Sequence, residues 1–445
     1  MATSAFKRLP GFRDFPPEDL ALRSHIVETW RRVSKRYGLL EYDGPPLESL
    51  DLYVEKSGGE IVGQLYSFTD KGDREVALRP EMTPSLARIL GDRSRAMSKP
   101  IRWFSVPQLF RYERQQRGRL REHFQWNVDI VGEEDVAADA EVLAVAIDGL
   151  REFGLTADHF RARVSDRRLL SALMKAFGVE ENALAVAFGV IDKLERVSRE
   201  TSLEALVKDV GLEISRADAL LEIFDAVSLE GLPEDIIKSG EVSTALARVQ
   251  TYLGALEAMG LREYVEIDLR IVRGLAYYTG IVFELFDTGR DLRAICGGGR
   301  YDRLLELVGG EPLPAVGFGM GDVVLGELLA DSGLIPEFDR SIDYFIVTVS
   351  SDERAEALRI AHALRENGRS VAYPLRDQSL AKQLKAAVRE GAGQVLIIGP
   401  DELARGCVTL REMESGVERE LPVSELERNS RVLGNVKLLR WLGKL

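Results

Sequence analysis

The feature that most constrains the fold is an arginine-rich stretch, FRYERQQRGRLREHFQ at residues 110–125, in a chain whose formal net charge is −13. The segments on either side of it, IRWFSVPQLFRYER and REHFQWNVDIVG, are typical of strands. Together they predict a long antiparallel hairpin with the arginine-rich tip RQQRGR. Arg111 and Glu113 flank Tyr112, so a strand would direct their side chains to the same face. That face would offer one fixed cation and one carboxylate to a ligand such as ATP.

Length and composition limit the possible classes of protein. A chain of 445 residues is too long for a single core and predicts two or three domains. No apolar run reaches the roughly 18 residues of a membrane span, and the first residues lack the apolar core of a secretory signal. We therefore expect a cytoplasmic protein without a membrane partner. The acidic balance argues against coating nucleic acid in bulk, but it allows a local basic surface that binds one RNA.

The standard metal and nucleotide motifs are missing from the sequence. Cys296 and Cys407 are the only cysteines and lie far apart, so neither a disulfide framework nor a cysteine metal site is expected. The four histidines show no metal-ligand spacing, and we expect no metal held by the protein itself. Neither GxxxxGK[ST] nor a strand-linked GxGxxG occurs, so ATP would have to bind outside those two cradles.

The chain divides into regions of different pattern. Residues 1–333 mix amphipathic helices and strands and predict one α+β domain. Residues 165–260 read as short helices separated by Gly178, Gly211 and Gly231, which predicts a helical insertion that splits this domain. Residues 340–430 alternate strand and helix, which is the βαβ pattern of a compact α/β domain.

Two glycine-containing segments are candidates for binding. VRGLAYYTG at 272–280 places Arg273 in a turn, where a guanidinium needs an anionic partner. In the same turn Tyr277 fits a buried structural role better. The second segment is CGGGRYD at 296–302, whose glycines would let the backbone approach a flat ligand or would only form a tight bend.

Two helix starts carry polar residues that bear on a site. ALRPEMTPS at 77–85 places Glu81 and Thr83 beside prolines, and helix capping is the simplest interpretation of Thr83. Asp322, in the segment GMGDVVL, is expected to be a helix N-cap, with a role in holding Mg²⁺ as the less favoured alternative.

In this order, the segments resemble the histidyl-tRNA synthetases, a family of class II aminoacyl-tRNA synthetases. LPGFRDFPPED is similar to the family's N-terminal signature, FRYERQQRGRLREHFQ to motif 2, RGLAYYTG to the histidine-specific RGLDYY loop, and GGGRYDRLL with PAVGFGMG to the approach to motif 3. The resemblance covers essentially the whole chain. It implies an α+β class II catalytic domain, with an antiparallel sheet flanked by helices and a helical insertion, followed by an α/β anticodon-binding domain. It also implies a homodimer with Pro45 at its interface.

The resemblance assigns roles to individual residues. Arg273 and Arg111 would be catalytic, and ATP would contact Arg111, Glu113, Arg121 and, as a hypothesis, Arg300. Six residues would bind L-histidine: Glu81, Thr83, Gln125, Asp129, Tyr277 and Tyr278. Three residues of the hairpin tip would meet tRNA(His): Arg114, Gln116 and Arg117. Mg²⁺ would arrive with ATP, and the carboxylate of histidine would attack the α-phosphorus.

Three departures from the family pattern leave alternatives open. Ala276 replaces the acid of RGLDYY, Asp129 is shorter than the family's glutamate, and Val324 stands where motif 3 carries an arginine. A divergent synthetase branch, similar to the plant organellar enzymes, is the favoured interpretation. A catalytically inactive paralogue is the alternative, such as the histidine-sensing regulatory subunit of ATP phosphoribosyltransferase. A tRNA-binding scaffold without activity is a third.

Overall fold

A computed structural model describes most of the chain, as follows: residues 6–54, 63–114, 116–226, 232–272, 278–289, 292–303, 305–306, 309–310, 312–338 and 340–428. The chain separates into two compact units, Met1–Pro336 and Glu337–Leu445. The first unit contains a nine-stranded sheet and a small three-stranded sheet, the second contains a five-stranded sheet, and each unit has its own core.

The strands in chain order are β1 (Leu40–Glu41), β2 (Leu47–Ser49), β3 (Tyr66–Thr69), β4 (Glu75–Leu78), β5 (Ile101–Ser105), β6 (Gln108–Phe110), β7 (Glu122–Val131), β8 (Phe160–Asp166), β9 (Val265–Ile267), β10 (Ile281–Asp287), β11 (Cys296–Arg300), β12 (Ala315–Gly321), β13 (Ile342–Thr348), β14 (Val371–Ala372), β15 (Ala392–Ile398), β16 (Cys407–Glu412) and β17 (Glu418–Pro422).

The α-helices in chain order are α1 (Pro17–Arg36), α2 (Thr83–Arg93), α3 (Val136–Arg151), α4 (Arg167–Ala176), α5 (Leu184–Ile191), α6 (Arg199–Lys208), α7 (Ile214–Asp225), α8 (Glu234–Ile237), α9 (Gly240–Ala258), α10 (Asp322–Asp331), α11 (Arg354–Glu366), α12 (Leu380–Arg389), α13 (Pro400–Ala404) and α14 (Val423–Arg428). None of those described combines the length and the apolar character that a membrane span needs.

The first unit is organised by a large mixed sheet. Its strand order is β1-β5-β7-β12-β11-β10-β8-β9, and β6 pairs with the start of β7. Every pair from β5 to β8 is antiparallel, whereas the two outer pairs, β1 with β5 and β8 with β9, are parallel. The predicted antiparallel sheet flanked by helices is confirmed.

Helices α1 and α3 cover one face of this sheet, and β7 shows why. Trp126 of β7 stacks on Trp30 of α1 with 5.9 Å between ring centroids, and its Nε1 donates to Ser34 Oγ at 2.9 Å. An added Cβ at Gly149 of α3 would lie 2.4 Å from the Trp126 ring, so that helix can approach the strand only with glycine there. Because strand residues alternate in direction, Gln125 and Asp129 point to the opposite face.

Helices α4 to α9 lie between β8 and β9, within the stretch predicted as an insertion. The chain leaves the sheet at the end of β8 and returns as β9, parallel to β8. Gly178 and Gly211 follow helices α4 and α6 with φ of 100° and 86°, a backbone conformation in which glycine carries no steric penalty. Gly231, the third predicted break, lies outside the described residues.

The second unit is a five-stranded sheet in the order β14-β13-β15-β16-β17. The pairs of β13 with β14 and β15 are parallel, and the pairs of β16 with β15 and β17 are antiparallel. Ile346 and Leu396 pack with the buried face of α11, while Phe345 and Val395 pack with Ala387 of α12. Apolar side chains therefore project from both faces of this sheet, and the predicted α/β fold of this domain is confirmed.

An ionic triad ties the N-terminal segment to the hairpin and to α10. Arg13 Nε lies 2.6 Å from Glu122 Oε1 on β7, and Arg13 Nη1 lies 2.9 Å from Asp322 Oδ2 at the start of α10. The two carboxylate side chains are only 1% and 3% exposed, whereas Arg13 is 24% exposed. Burial raises the pKa of Asp322, and Arg13 opposes that shift. One partly exposed arginine thus compensates two buried carboxylates.

Replacing Arg13 should therefore destabilise the first unit. Arg13→Ala leaves Glu122 and Asp322 buried without their cation, and we expect the free energy of unfolding to fall by roughly 3 kcal/mol. Arg31→Ala is the matched control, because Arg31 forms a pair with Glu41 in which both side chains are substantially exposed. Urea unfolding of both variants measures the difference. Equal stability of the two variants would contradict the structural role of the triad.

His123, next to Glu122 on β7, is held in its neutral form. Burial lowers the pKa of His123 to about 3, and the charges of Arg111 and Arg13 act in the same direction. The unfolded chain has the ordinary histidine pKa of 6.5 and binds a proton in the interval where the folded chain does not. Stability from this residue is therefore complete above pH 6.5 and is lost as the pH falls from 6.5 toward 3.

The expected slope is at most about 1.4 kcal/mol of unfolding free energy per pH unit in that interval. His123→Gln should flatten the acid side of the stability profile by this amount, since glutamine binds no proton. His362→Gln, at an exposed histidine of the second unit, is the control. A profile of His123→Gln that follows the unmodified protein down to pH 4 would show that His123 is protonated in the folded state.

Candidate active site beside the arginine-rich hairpin

A cavity of about 800 Å³ opens beside the hairpin. Arg111, Glu113 and Gln125 line it from the hairpin, Arg293 and Gly297 from the segment that enters β11, and Val324 from α10. The sequence predicted the first three as ligands of ATP or histidine, and the structure brings these three together on one cavity.

The hairpin exists as predicted, although its strands are short on one side. Phe110 pairs with Glu122 and Gln108 with Phe124, and Arg111 N donates to Arg121 O at 2.9 Å. The tip then closes through a two-way pair of backbone hydrogen bonds between Gln116 and Arg119, of 3.2 and 3.0 Å.

The two residues expected to hold ATP are fixed by neighbours. Arg111 Nε donates to Pro80 O at 3.0 Å, which ties the hairpin to the segment that carries Glu81. The Glu113 side chain is 7% exposed and forms an ion pair with Arg119. A ligand amine that approached Glu113 would share this carboxylate with Arg119.

Arg121 does not line this cavity. Its guanidinium lies 4.4 Å from the centre of the Tyr112 ring, and its Nε donates to Glu113 O at 3.1 Å. An added Cβ at Gly11 would lie 2.6 Å from Arg121 Cγ, so the N-terminal segment packs directly on this side chain. The arrangement supports a structural role for Arg121 and gives its predicted phosphate contact no support.

The prediction that Arg300 contacts ATP is wrong for this geometry. Arg300 is 1% exposed, and its Nη2 lies 2.6 Å from Asp139 Oδ2 on α3. Its Nη1 also donates to Glu133 O at 2.9 Å. Strand β11 directs residue 300 to the face covered by α3, and a buried cation already paired there has no access to the cavity.

Glycines on β12 make room for the predicted histidine ligands on β7. A Cβ at Gly319 would lie 2.9 Å from the Gln125 amide, and a Cβ at Gly317 would lie 2.3 Å from Asp129 Oδ1. The register explains both contacts, because Gly317 pairs with Asp129, and Gly319 pairs with Asn127, which lies two residues from Gln125 on the same face of β7. The triple glycine of β11 is an extended strand rather than the tight bend that was the alternative.

Asp129 is connected to a tyrosine that the sequence analysis did not single out. The Tyr301 hydroxyl donates to Asp129 Oδ1, and burial together with the Asp129 charge raises the pKa of Tyr301. Tyr278 packs against the same cluster as Tyr301 and lines a second cavity, of about 1460 Å³, that α4 and α9 also line. Tyr301 follows directly after GGGR, and this position was the signal that could have identified it.

Thr83 and Asp322 differ from their expected capping roles. Helix α2 begins at Thr83 itself, its N-cap is Met82, and no side chain caps it. Asp322 is the first residue of α10, where its Oδ1 accepts from Phe124 N at 2.9 Å. Asp322 therefore joins the helix to β7 instead of capping the helix. Across the described residues, no group of three or more His, Cys, Asp and Glu side chains is placed to hold a metal ion.

The hairpin tip, with the predicted tRNA contacts, is held against α10. Arg117 Nη2 lies 2.7 Å from Asp331 Oδ2, and Gly118 N donates to Glu327 Oε1 at 3.1 Å. Gln116 accepts a hydrogen bond from Arg293, and Arg114 is exposed. The remaining predicted residues, Arg273 and Tyr277, lie outside the described residues.

Comparison with known proteins identifies both units. The family described as histidyl-tRNA synthetase matches residues 11–321, and an anticodon binding domain matches residues 343–430. The histidine–tRNA ligase of Opitutus terrae is 44% identical over 96% of this chain and 98% of its own. The chloroplastic/mitochondrial histidine–tRNA ligase of Arabidopsis thaliana is 40% identical over 94% of this chain and 85% of its own.

Solved structures agree on the fold. The histidyl-tRNA synthetase of Nostoc sp. PCC 7120 has a TM-score of 0.77 and 24% identity and covers 96% of this chain and 100% of its own. A structure titled as an ATP phosphoribosyltransferase regulatory subunit/histidyl-tRNA synthetase from Bacillus halodurans C has a TM-score of 0.74 and 24% identity, over 89% of this chain and 99% of its own. At this identity the likeness concerns the fold alone. The family match over residues 11–321, with relatives above 40% identity over nearly the whole length, shows that the chain belongs to the histidyl-tRNA synthetase family.

Proposed function

We propose that this member of the family joins L-histidine to the 3′ end of tRNA(His) in an ATP-dependent reaction. The observation that carries the proposal is the convergence of Arg111, Glu113 and Gln125 on one cavity, in a chain that is 44% identical to a histidine–tRNA ligase along nearly all of its length. The first step would be attack of the histidine carboxylate on the α-phosphorus of ATP. Its products are histidyl-adenylate and pyrophosphate, and a terminal ribose hydroxyl of tRNA then displaces AMP from the acyl carbon.

Positive charge beside the α-phosphate is the main catalytic requirement of the first step, because negative charge is redistributed there during attack. Arg111 suits this task, since its Nε is held by Pro80 O and the residue lines the cavity. Arg273 would act with it as the second catalytic arginine. Arg111 and Arg273 stabilise charge and position the reactants, and no covalent intermediate with the protein is needed.

Histidine recognition would use the polar residues on the same side of β7 as the cavity. Gln125 and Glu81 would bind the amino acid near its amino group, together with Thr83. Asp129, which accepts from Tyr301, and Tyr278, which packs against the same cluster, would pair with the imidazole nitrogens, with Tyr277 beside them. Such a site excludes most other amino acids, because they would leave its buried polar groups unpaired.

The exposed hairpin tip would meet the acceptor end of tRNA(His) through Arg114, Gln116 and Arg117. Mg²⁺ would enter as part of the MgATP substrate. We further propose a cytoplasmic homodimer with Pro45 at the interface. Sedimentation of the purified chain measures the oligomeric state.

An inactive, histidine-sensing paralogue is the alternative function, because Val324 stands where the family carries an arginine. It shares the fold, and Val324 removes one cation from the expected ATP site. The match of residues 343–430 to an anticodon binding domain favours the ligase, because a regulator of a metabolic enzyme has no use for such a domain.

Charging of tRNA(His) with labelled histidine tests the proposal directly. The unmodified chain should accumulate histidyl-tRNA, and Arg111→Ala should lower the rate of charging by at least about 100-fold, since removal of one preorganised donor at a developing charge has this effect. Arg31→Ala, at an exposed pair with Glu41 in the first unit, should charge normally. Folded protein that binds histidine but transfers none to tRNA would favour the regulator.

A second prediction concerns the space that glycine leaves for Gln125. Gly319→Ala places a Cβ 2.9 Å from the Gln125 amide and should displace it. We expect the KM for histidine to rise roughly tenfold, because one ligand hydrogen bond is lost, while the KM for ATP stays nearly constant. Gly326→Ala on α10 is the matched control, since its Cβ meets nothing within 4 Å. An unchanged KM for histidine in a folded Gly319→Ala protein would exclude Gln125 as a histidine ligand.

A further inference from the structure

The cavity presents a problem of charge at the position of Val324. The polyphosphate of ATP needs cations along its length, and the family resemblance places an arginine at this position. Val324 is 7% exposed and forms part of the cavity wall, and an added Cβ at Gly118 would lie 3.1 Å from its Cγ2. An apolar side chain packed under the hairpin tip cannot bind phosphate, so the charge must come from elsewhere.

Strand pairing places one other arginine at this end of the sheet. Cys296 at the start of β11 pairs with Met320 near the end of β12. The segment before Cys296 and the segment after Met320 therefore leave the sheet at the same end of these strands. Arg293 lies in the segment before Cys296, and Val324 lies in the segment after Met320. Both residues line the same cavity.

The backbone of Arg293 is held on both sides. Leu292 N donates to Asp287 Oδ1 at 3.1 Å, and Ile295 N donates to Leu285 O at 2.8 Å. Ile295 is buried, whereas Arg293 is exposed at the rim of the cavity. The residue thus projects from an anchored stretch of backbone, which limits the backbone ordering that ligand binding would require.

Among the described residues, the contacts of Arg293 leave its charge available. Its Nη2 donates to the neutral Gln116 amide oxygen, and no carboxylate of the described residues forms a salt bridge with it. Two other candidate cations are already engaged, Arg119 with Glu113 and Arg300 with Asp139. Arg196 also lines the cavity and is the competing candidate. Exchange of the Gln116 amide for a phosphate oxygen would replace a neutral partner by a charged one, which strengthens the hydrogen bond.

The local field also indicates a site for an anion. The pKa of Arg119 is lowered, first by burial and then by the positive charges of Arg293 and Arg111. Arg111, Arg119 and Arg293 therefore line one cavity together with the carboxylates of Glu113 and Glu284, and Glu113 forms an ion pair with Arg119. A polyphosphate would relieve the repulsion among the three guanidinium groups.

We propose that Arg293 binds the terminal phosphate of ATP and takes the place of the motif 3 arginine that Val324 lacks. This inference rests on the proposed function for its substrate and names the residue that completes the ATP site. Because the terminal phosphate is absent from AMP, the role of Arg293 separates from binding of the adenine, the ribose and the α-phosphate.

Binding of a non-hydrolysable ATP analogue and of AMP to the full chain, measured by calorimetry, tests the assignment. Arg293→Ala should weaken the ATP analogue by about 10-fold to 100-fold, as for loss of one charged hydrogen bond, and should leave AMP within about twofold. The affinity of Arg293→Lys for the ATP analogue should lie between those of the unmodified chain and of Arg293→Ala. Arg405→Ala is the control for loss of an arginine elsewhere. Equal loss for ATP and AMP, or no loss for either, would overturn the assignment.

A relocation experiment gives a second test. The double variant Arg293→Ala with Val324→Arg moves the guanidinium from position 293 to position 324 on the wall of the same cavity. Its affinity for the ATP analogue should recover, and its affinity for AMP should not change. No recovery in a folded double variant would contradict a shared phosphate position. Arg196, which also lines the cavity, is the competing source of charge. Loss of ATP affinity in Arg196→Ala, with Arg293→Ala unaffected, would assign the role to Arg196 instead.

These outcomes are independent of whether histidine is activated. A protein that binds ATP through Arg293 but charges no tRNA would refute the proposed ligase function and leave the Arg293 contact standing. A protein that charges tRNA, with ATP binding unaffected by Arg293→Ala, would refute the Arg293 contact and leave the ligase function standing.

Discussion

The compensation of two buried carboxylates by Arg13 is the interaction on which the site depends. Glu122 begins β7 and Asp322 begins α10, and Asp322 also accepts from the backbone of Phe124. The N-terminal segment thereby fixes the return strand of the hairpin against the helix that carries Val324. Without the cation, the two acids would repel each other in a buried place, and the hairpin and the helix that bound the cavity would separate. A short polar N-terminal motif, far from the cavity in sequence, thus positions the site.

The two faces of the large sheet in the first unit have different roles: one packs against helices, and the other carries the candidate ligand-binding residues. Trp126 and its neighbours pack under α1 and α3, and the buried pair of Arg300 with Asp139 lies on this covered side. The other side carries Gln125 and Asp129, with glycines on β12 opposite them in place of side chains. Large side chains on the covered face make the sheet rigid, and the glycines on the opposite face leave room for ligands. Alternation along a strand explains why both functions occur in one segment.

Much of this arrangement could be predicted from the sequence, for physical reasons. The hairpin followed from the strand-forming segments on both sides of its polar tip. The face to which Arg300 points could not be predicted, because the alternation of a strand does not tell which of its faces meets the covering helix. Only the ion pair with Asp139 on α3 shows that Arg300 points to the covered face. Asp322 looked like a cap, but its partner on β7 is distant in sequence. Arg293 stands in a stretch without period or motif, so only the pairing of β11 with β12 brought it to the cavity.

We expect this site to activate histidine although Val324 stands in place of a cation. The most direct measurement is histidine-dependent exchange of labelled pyrophosphate into ATP, with Arg273→Ala for comparison. We expect exchange that requires histidine and disappears in the variant, which would establish adenylate formation without the motif 3 arginine. Folded protein that shows no exchange, with or without tRNA, would contradict it and identify the chain as a member of the family that has lost its catalytic activity.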